Sequence, residues 1–293
     1  MSGLGLVLIG ISAVFHVTAQ ALIKGATDKR AFAWLMMGVC AAAGAPLLFL
    51  STAGPVAPVG FAFVLTSGVL EALYYTVLTK AYSLGDFSTV YPISRGSAPL
   101  FVLLWAAVFL GERPSAMGFL GICIVIAGIS LAGSPLPSFR SGSVPWALGT
   151  GLVISLYTTV DKAGMEYFDP AVYLHLVFVC AWICMAPTFV GIGRFRPVIE
   201  EVTKYDDRDG GRSIDYKACA RVALCASFIF AAYTLVLAAL KLNPAGYVSA
   251  TREISVVIAA WIGVRRFGEK GGRLRIAAAM LVVVGVAVIA LAR

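Results

Sequence analysis

The chain has 293 residues, of which 60% are hydrophobic and 13% are charged, and its formal net charge is +8. A soluble globular domain carries about 25% charged residues, so this composition excludes an ordinary soluble protein. Because the basic residues lie between apolar segments, the positive charge is typical of topology-setting loops and excludes a nucleic-acid-binding surface.

Ten apolar segments follow one another along the chain, and each is long enough to cross a hydrocarbon core, which takes about 17–25 residues. Their predicted bounds are 3–22, 31–51, 58–82, 87–110, 115–133, 144–163, 170–192, 217–240, 244–264 and 274–292. The first segment is interpreted as a span and not as a signal peptide, because no positive charge precedes it. These segments predict a multi-pass protein of the inner cell membrane.

One sequence pattern occurs twice, 157 positions apart, inside these segments. The aligned residues are Arg95 with Arg252, Glu112 with Glu269, and Gly128 with Gly285. The two copies, residues 1–135 and 144–293, each contain five predicted spans, and an odd number inverts the second copy in the membrane. The predicted fold is all-α, with ten transmembrane helices in two inverted five-helix repeats.

One connection is long. Residues 194–216, inside the second copy, mix acidic and basic side chains and are predicted to form a solvated polar linker with one helical turn near Ile199. The odd-numbered connections hold 17 of the 23 Lys and Arg residues, whereas the even-numbered connections and the C-terminus hold four. The positive-inside rule therefore places the odd-numbered connections in the cytoplasm and both termini outside.

Two arginines, Arg95 and Arg252, lie within predicted spans. An arginine at the centre of a membrane helix costs about 2.5–3.5 kcal/mol, so two at matching positions need a reason. Arg95 lies between Pro92 and Pro99, which free backbone carbonyls and bend the helix, as is tolerated where a helix lines a cavity. Two interpretations stay open: the guanidinium binds an anion in a wet cavity, or it pairs with a carboxylate on another helix.

Four other ionisable residues inside spans are candidates for coupling to protons. They are Glu71, Glu253, His16 and Asp161. Glu71 could instead pair with Arg95 or bind an amine, and His16 could simply hydrogen-bond a neighbour.

The remaining candidate substrate-binding residues are polar side chains on the same helices, and they accompany Arg95, Arg252 and Glu71. They are Tyr75, Tyr82, Tyr91, Gln20, Lys24 and Lys162. Lys24 and Lys162 each lie near the end of the first helix of a repeat. A cavity wall and a polar seam between helices both explain these residues.

The endings Leu110-Gly111-Glu112-Arg113 and Phe267-Gly268-Glu269-Lys270, together with the Pro92-Ile93-Ser94-Arg95 run, resemble the EamA-type transporters of the drug/metabolite transporter superfamily. The resemblance covers nearly the whole chain and implies ten helices around a central cavity, usually exporting amino acids or other small metabolites. Those families commonly keep both termini in the cytoplasm, whereas the charge distribution here predicts the reverse. The related small multidrug exporters use a glutamate in the first span, where this chain has His16 and Gln20.

The functional hypothesis is a secondary transporter that exports small metabolites by alternating access, with amino acids or other zwitterionic solutes as favoured substrates. One alternative is an antiporter of phosphorylated or dicarboxylic anions, in which Lys24, Lys80 and Lys162 complete a cationic pocket. Another is a non-transporting membrane scaffold or sensor whose cavity is plugged by internal Arg–Glu pairs.

The sequence contains no phosphate-binding loop or nucleophile motif, so no enzymatic activity and no cofactor are expected. The six cysteines lie in or beside apolar segments without metal-ligand spacing, so they predict neither a disulfide framework nor a metal site. The expected partners are a small solute, the lipid bilayer and protons as the coupling ion, and the chain is expected to be a monomer or a homodimer.

Overall fold

The computed structural model describes residues 3–50, 58–110, 115–132, 142–189, 195–206, 211–242, 248, 252–269 and 272–291. Helices form almost all of this part of the chain. They are α1 (Gly3–Lys24), α2 (Lys29–Gly44), α3 (Leu47–Leu50), α4 (Pro58–Leu84), α5 (Phe87–Leu110), α6 (Ala116–Ala132), α7 (Ser143–Gly164), α8 (Pro170–Met185), α9 (Arg196–Val202), α10 (Tyr216–Leu242), α11 (Ile254–Arg266) and α12 (Gly272–Leu291). A 3-10 helix (Ala186–Thr188) follows α8, and β1 (Thr203–Asp206) pairs antiparallel with β2 (Gly211–Ile214).

Helices occupy the predicted apolar segments, although the ninth segment is described only at residue 248 and from residue 252 onward. Within the described residues, six helical segments are long and apolar enough to cross a membrane. An all-helical, multi-pass membrane protein is therefore confirmed.

In two predicted spans, 31–51 and 170–192, the first helix ends at the same sequence step. α2 is followed by Ala45-Pro46, and α8 by Ala186-Pro187. Proline has no N–H for the helical ladder and its ring clashes with the preceding turn. α2 and α8 therefore end there, and α3 and the 3-10 helix continue the two segments, which remain candidate spans over Lys29–Phe49 and Pro170–Thr188.

The two halves of the chain, residues 3–132 and 142–291, pack against each other symmetrically, so that corresponding helices of the two halves make corresponding contacts. α1 packs against α10 and α4 against α7, so the first helix of each half contacts the third helix of the other. α2 contacts α8, α5 contacts α11, and α6 contacts α12, which pairs each of these helices with its own counterpart. The end of α1 and the start of α7 both meet Gly85, so these two helices run in opposite directions.

One end of the bundle, here called the basic face, gathers the described segments 24–30, 80–86, 195–206, 211–221, 265–269 and 272–275, which hold thirteen Lys and Arg residues against seven Asp and Glu residues. Contacts tie them together. The Asp28 N–H donates to Glu201 Oε2 at 3.0 Å, and the Phe87 N–H donates to Glu269 Oε1 at 2.6 Å.

The prediction of a solvated linker over residues 194–216 agrees with the described residues only in part, because Arg196, Glu200, Lys204 and Arg212 are exposed whereas Val198 and Glu201 are buried. The predicted helical turn near Ile199 is confirmed as α9, but its apolar side packs onto the bundle. Val198 is buried with Ala31 and Phe189, and the Phe195 ring makes an edge contact with Trp34 at 5.9 Å. Phe195 and Val198 are three positions apart, which places them on one helical face.

The hairpin after α9 is held by charged side chains. Glu200 accepts hydrogen bonds from Arg196 and Arg212, each at 2.7 Å. These two guanidinium groups lower the pKa of Glu200, whereas burial raises the pKa of Glu201 despite the bond that it accepts from Asp28. The predicted linker is thus a small cap on the basic face.

Candidate functional site

The candidate site begins on α5, where Arg95 lies eight residues inside the helix. At a rise of 1.5 Å per residue this places it about 12 Å from the helix start. Pro92 and Pro99 lie inside the same helix without ending it. Arg95 is only 4% exposed, so packing holds its guanidinium inside the bundle.

Arg95 pairs with Glu253, which directly precedes α11. The Nη2 atom of Arg95 lies 3.6 Å from Glu253 Oε1, longer than the roughly 2.7–2.9 Å of a strong charged hydrogen bond. Among the described residues, Nε and Nη1 of Arg95 and Oε2 of Glu253 have no hydrogen-bond partner. The predicted alternative of a salt bridge to another helix is therefore present, but it leaves most of the hydrogen-bonding capacity unused.

Arg252 is also buried and lies beside the first arginine. Its guanidinium carbon lies 5.7 Å from the centre of the Tyr233 ring, a cation–π distance. Arg252 directly precedes Glu253, the ion-pair partner of Arg95, so both arginines adjoin the same residue. His16 and Glu71, which is at the middle of the 27-residue α4, line a small cavity together with Tyr233, whose ring Arg252 contacts. We call Arg95, Arg252, Glu253, Glu71 and His16 the central cluster.

A small cavity adjoins the central cluster. His16, Glu71, Tyr75 and Tyr157 line it, together with Tyr74, Phe178, Ile229 and Tyr233, and its volume is about 10 Å³. A cavity of roughly 10–15 Å³ holds one water molecule. The described residues therefore leave no room for a metabolite in this cavity.

Gln20 connects α1 to the tyrosines of α4. Its Nε2 donates to the Tyr74 hydroxyl at 3.0 Å, and the Tyr82 hydroxyl donates to its Oε1 at 3.3 Å. The Nε2 of His16 lies 3.5 Å from the same amide nitrogen. On the neighbouring helix, Tyr91 donates to Ser255 Oγ at 3.0 Å and so joins α5 to α11. The structure thus brings Gln20, Tyr75 and Tyr91 beside the cluster and joins Tyr82 to it through Gln20.

Asp161 lies next to the cluster and has three hydroxyl partners. Tyr173 donates to its Oδ1 at 3.0 Å, Ser67 donates to the same oxygen, and Tyr233 donates to Oδ2. These partners come from α8, α4 and α10, so Asp161 on α7 ties four helices together. Because a carboxylate accepts several hydrogen bonds, these three donors make Asp161 a link between helices.

Sequence reasoning missed Tyr157, Tyr173 and Tyr233. Each is the single tyrosine of its predicted span in the second half, and buried tyrosines usually find a partner for the hydroxyl. Tyr233 contacts both Asp161 and Arg252, so it connects the anchoring carboxylate to the central cluster.

Lys24 and Lys162 bind helix ends instead of lining the cavity. Lys24 Nζ donates to the carbonyls of Tyr82 and Gly85 at 2.7 and 2.6 Å, and Lys162 Nζ donates to the Leu240 carbonyl at 2.6 Å. The last carbonyls of a helix lack partners and attract cations. Each lysine therefore caps the third helix, α4 or α10, of one half. These contacts give no support to a place for either lysine in a substrate pocket.

The second copy of the Gly-Glu motif forms another buried ionic group on the basic face, which we call the clasp: Asp86, Glu269 and Arg275. Glu269 accepts from the N–H groups of Phe87 and Ser88 at 2.6 and 2.9 Å, so it caps the start of α5. Arg275 bonds Glu269 at 3.1 Å, Asp86 at 2.6 Å and the Ser88 hydroxyl.

The sequence analysis treated Arg275 as a topology-setting loop charge, but the side chain is buried in this clasp. A Cβ on Gly263 would lie 2.4 Å from Glu269 Oε2, so only glycine leaves room at that position. The first copy of the motif, with Glu112, lies outside the described residues. Among the residues that the structure describes, no group of three His, Cys, Asp or Glu residues could hold a metal ion.

Comparison with known proteins gives two findings. A family model described as "EamA-like transporter family" matches residues 3–134 and again residues 142–291. A protein with a solved crystal structure is 16% identical, covers 96% of this chain and 98% of its own, and superposes with a TM-score of 0.61, which shows a shared fold. No curated protein matches the chain.

Proposed function

Because the chain belongs to the EamA-like transporter family, we propose that it is a secondary transporter that exports small metabolites, with amino acids or other zwitterionic solutes as the favoured class. It works by alternating access around the central cluster. The inner cell membrane is its place of action, with the basic face toward the cytoplasm.

The proposed architecture is ten transmembrane helices in two inverted five-helix repeats. The symmetric packing between the halves supports it, since α1 packs on α10 as α4 packs on α7. Inverted repeats with a binding site at their interface recur among secondary transporters, and rocking of one repeat against the other exposes the site to each side in turn.

The observation that carries the proposal is the unused hydrogen-bonding capacity of Arg95. Buried donors without partners are costly, and a buried charge is costlier still. A guanidinium can donate two parallel bonds to a carboxylate. Substrate binding would supply partners for Nε and Nη1, and the nearby Arg252 would add a second positive charge.

The same cluster offers a partner for an ammonium group. Glu71 lies at the middle of α4 and lines the small cavity. Glu253 has one carboxylate oxygen without a partner among the described residues. A zwitterion would therefore place its carboxylate at the arginines and its amine at Glu71 or Glu253, with Tyr75 and Tyr157 as the walls.

Proton coupling is assigned to the central cluster itself. Glu71, Glu253 and His16 lie beside the arginines. An anion bound there would add negative charge near these three side chains and so favour their protonation. Asp161 is the weakest of the four candidates, because three hydroxyl donors already satisfy it.

The test is uptake of radiolabelled amino acids into proteoliposomes containing wild-type protein, Arg95→Ala or Arg252→Ala. We expect both variants to lose transport. Arg266→Ala, at an exposed arginine of the basic face, is the matched control and should transport normally. Unchanged uptake in both variants at equal reconstituted amounts would remove the arginines from the mechanism.

The two alternatives receive different support. A cationic pocket for phosphorylated anions requires Lys24 and Lys162 at the site, whereas both bind helix-end carbonyls. A scaffold with a plugged cavity is consistent with the Arg95–Glu253 pair and the small cavity. It predicts that no solute in an amino-acid panel crosses the proteoliposome membrane.

A further inference from the structure

A second polar cavity lies on the basic face, away from the central cluster. Its volume is about 350 Å³, within the range of about 300–1,000 Å³ typical of small-molecule pockets. It opens between the segment 25–28, the last turns of α4 and the start of α7. Its charged lining residues are Lys29, Arg30, Lys80 and Asp28.

The charge of this cavity favours an anion. Asp28 is already occupied, because its Oδ1 accepts from the N–H groups of Arg30 and Ala31 at 3.0 and 2.9 Å and so caps α2. Lys29 uses one donor on the Ala26 carbonyl at 3.2 Å. Among the described residues, the buried Nε of Arg30 has no hydrogen-bond partner. Three cations with donors to spare therefore face one engaged carboxylate.

The approach to the cavity is apolar and faces outward. Leu65, Val69 and Leu73 are exposed at four-residue spacing along α4, and Lys80 continues the same stripe two turns later. Trp146, which is 40% exposed, stands at the rim. Tryptophan is enriched at the level of lipid headgroups. In a membrane, a chain lying along this stripe would bring its headgroup to the three cations.

We propose that this cavity binds the phosphate of an anionic phospholipid, with the headgroup between Lys29, Arg30 and Lys80 and an acyl chain along the α4 stripe. Soluble phosphate esters share the headgroup chemistry, but the apolar stripe and Trp146 favour the lipid. Basic pockets on the cytoplasmic side of membrane proteins attract such headgroups. The site is separate from the central cluster and does not depend on which solute is carried.

The experiment measures the melting temperature of purified protein in detergent with three additives: short-chain phosphatidylglycerol, the matching phosphatidylcholine, and glycerol phosphate. A ligand that binds the folded state stabilises it by an amount that grows with the logarithm of its concentration divided by its dissociation constant, so a tighter ligand raises the melting temperature more. We expect phosphatidylglycerol alone to stabilise the wild type. In Lys29→Gln/Arg30→Gln/Lys80→Gln its affinity should fall roughly 100-fold if the three contributions add.

The matched control removes the same charge from the same face. Arg265, Arg266 and Arg273 are exposed, and Arg265→Gln/Arg266→Gln/Arg273→Gln should keep the phosphatidylglycerol effect. Equal loss in both triple variants would mean general surface attraction and would overturn the site. Equal stabilisation by the two lipids would also overturn it, and equal stabilisation by glycerol phosphate would reassign the pocket to soluble phosphate esters.

A single substitution tests the site even if the triple variant fails to fold. Lys80 is exposed on a helix surface, so Lys80→Gln should fold normally. Native mass spectrometry of this variant should show fewer retained phosphatidylglycerol molecules than Arg266→Gln. Equal retention would count against the site.

Discussion

The clasp on the basic face and the central cluster both bury arginine beside glutamate, yet they differ in how far the charges are satisfied. In the clasp, Arg275 bonds Glu269, Asp86 and Ser88 and leaves only its Nε without a partner among the described residues, and Glu269 also caps α5. In the central cluster, Arg95 has one ion pair at 3.6 Å and two nitrogens without partners in the described part of the chain. A largely satisfied group stabilises the fold, whereas a largely unsatisfied one is suited to a ligand.

The two groups are also connected through one helix, α5. Glu269 holds the first residues of α5, and Arg95 lies about two turns further along. The clasp thus fixes the start of the helix that presents the guanidinium to the site. In an alternating-access cycle, we expect the clasp to hold the basic face closed while the opposite face opens.

The largest effect on stability is expected from Arg275→Ala. Removing one partner of a buried ion pair costs about 3–5 kcal/mol, because Glu269 would stay buried without its cation. The free energy of unfolding in detergent measures this loss. Arg273→Ala, two positions earlier and exposed, should change it by no more than about 0.5 kcal/mol. If both variants melt alike, the clasp does not stabilise the fold.

A double substitution separates the two groups. Arg95→Met/Glu253→Leu removes both charges of the central pair, and replacing a buried pair by apolar residues of similar volume is often neutral or stabilising by about 1–4 kcal/mol. We expect unfolding stability to be kept while proteoliposome transport is lost. The matching Arg275→Met/Glu269→Leu should be destabilised, because the carboxylate cap of α5 is gone. Equal destabilisation of both double variants would erase the distinction.

Gly263→Ala tests the close packing at the clasp. The new Cβ would lie 2.4 Å from Glu269 Oε2 and 2.7 Å from Ser88 Cβ, so overpacking should cost about 1–3 kcal/mol. The control is Gly149→Ala in α7, where the nearest atom would lie 3.4 Å away, at ordinary contact distance. The melting temperature should therefore fall in Gly263→Ala and not in Gly149→Ala.

A smaller effect is expected from Asp86→Asn, at the outer edge of the clasp. The Asp86 side chain is 50% exposed, so water screens its 2.6 Å bond to Arg275. Exposed ion pairs contribute less than about 1 kcal/mol. The unfolding free energy should fall much less than in Arg275→Ala. An equal fall would mean that Asp86 provides most of the stabilisation in the clasp.

The smallest effect concerns Glu201, in the cap on the basic face. Burial raises its pKa in the folded protein, so ionisation is less favourable there than in the unfolded chain. Relative to Glu201→Gln, the wild type should lose stability as the pH rises from the unfolded pKa of about 4.3 through the raised folded value, and stay constant above it. The melting temperatures of both proteins, recorded between about pH 4 and 8, measure this change. A difference that grows in the wild type's favour with rising pH would contradict the assignment.

Much of the fold follows from the sequence, because hydropathy reports which segments avoid water. The positions of the helices followed from apolar length, and the repeat singled out Arg95 and Arg252. The breaks at Ala45-Pro46 and Ala186-Pro187 were missed, although the same step occurs in both halves. Length alone does not reveal where a helix turns within an apolar segment.

Partners were harder to predict than positions. Lys24, Lys162 and Arg275 are all basic residues near helix ends, where charge usually faces water. Their partners are carbonyls or carboxylates on helices distant in sequence, as for Arg275 and Asp86. Side-chain direction depends on how those helices pack, and no local pattern encodes it. The apolar side of α9 was missed for a related reason, since it consists only of Phe195 and Val198 within a charged segment.

The most direct test of the central claim is ligand-dependent melting of purified protein with an amino acid and with the amine that lacks its carboxyl group. If the arginines bind a substrate carboxylate, an amino acid should raise the melting temperature and its amine should not. The rise should vanish in Arg95→Gln and in Arg252→Gln but persist in Arg266→Gln. Equal stabilisation by the amine, or an undiminished rise in both central variants, would contradict the account.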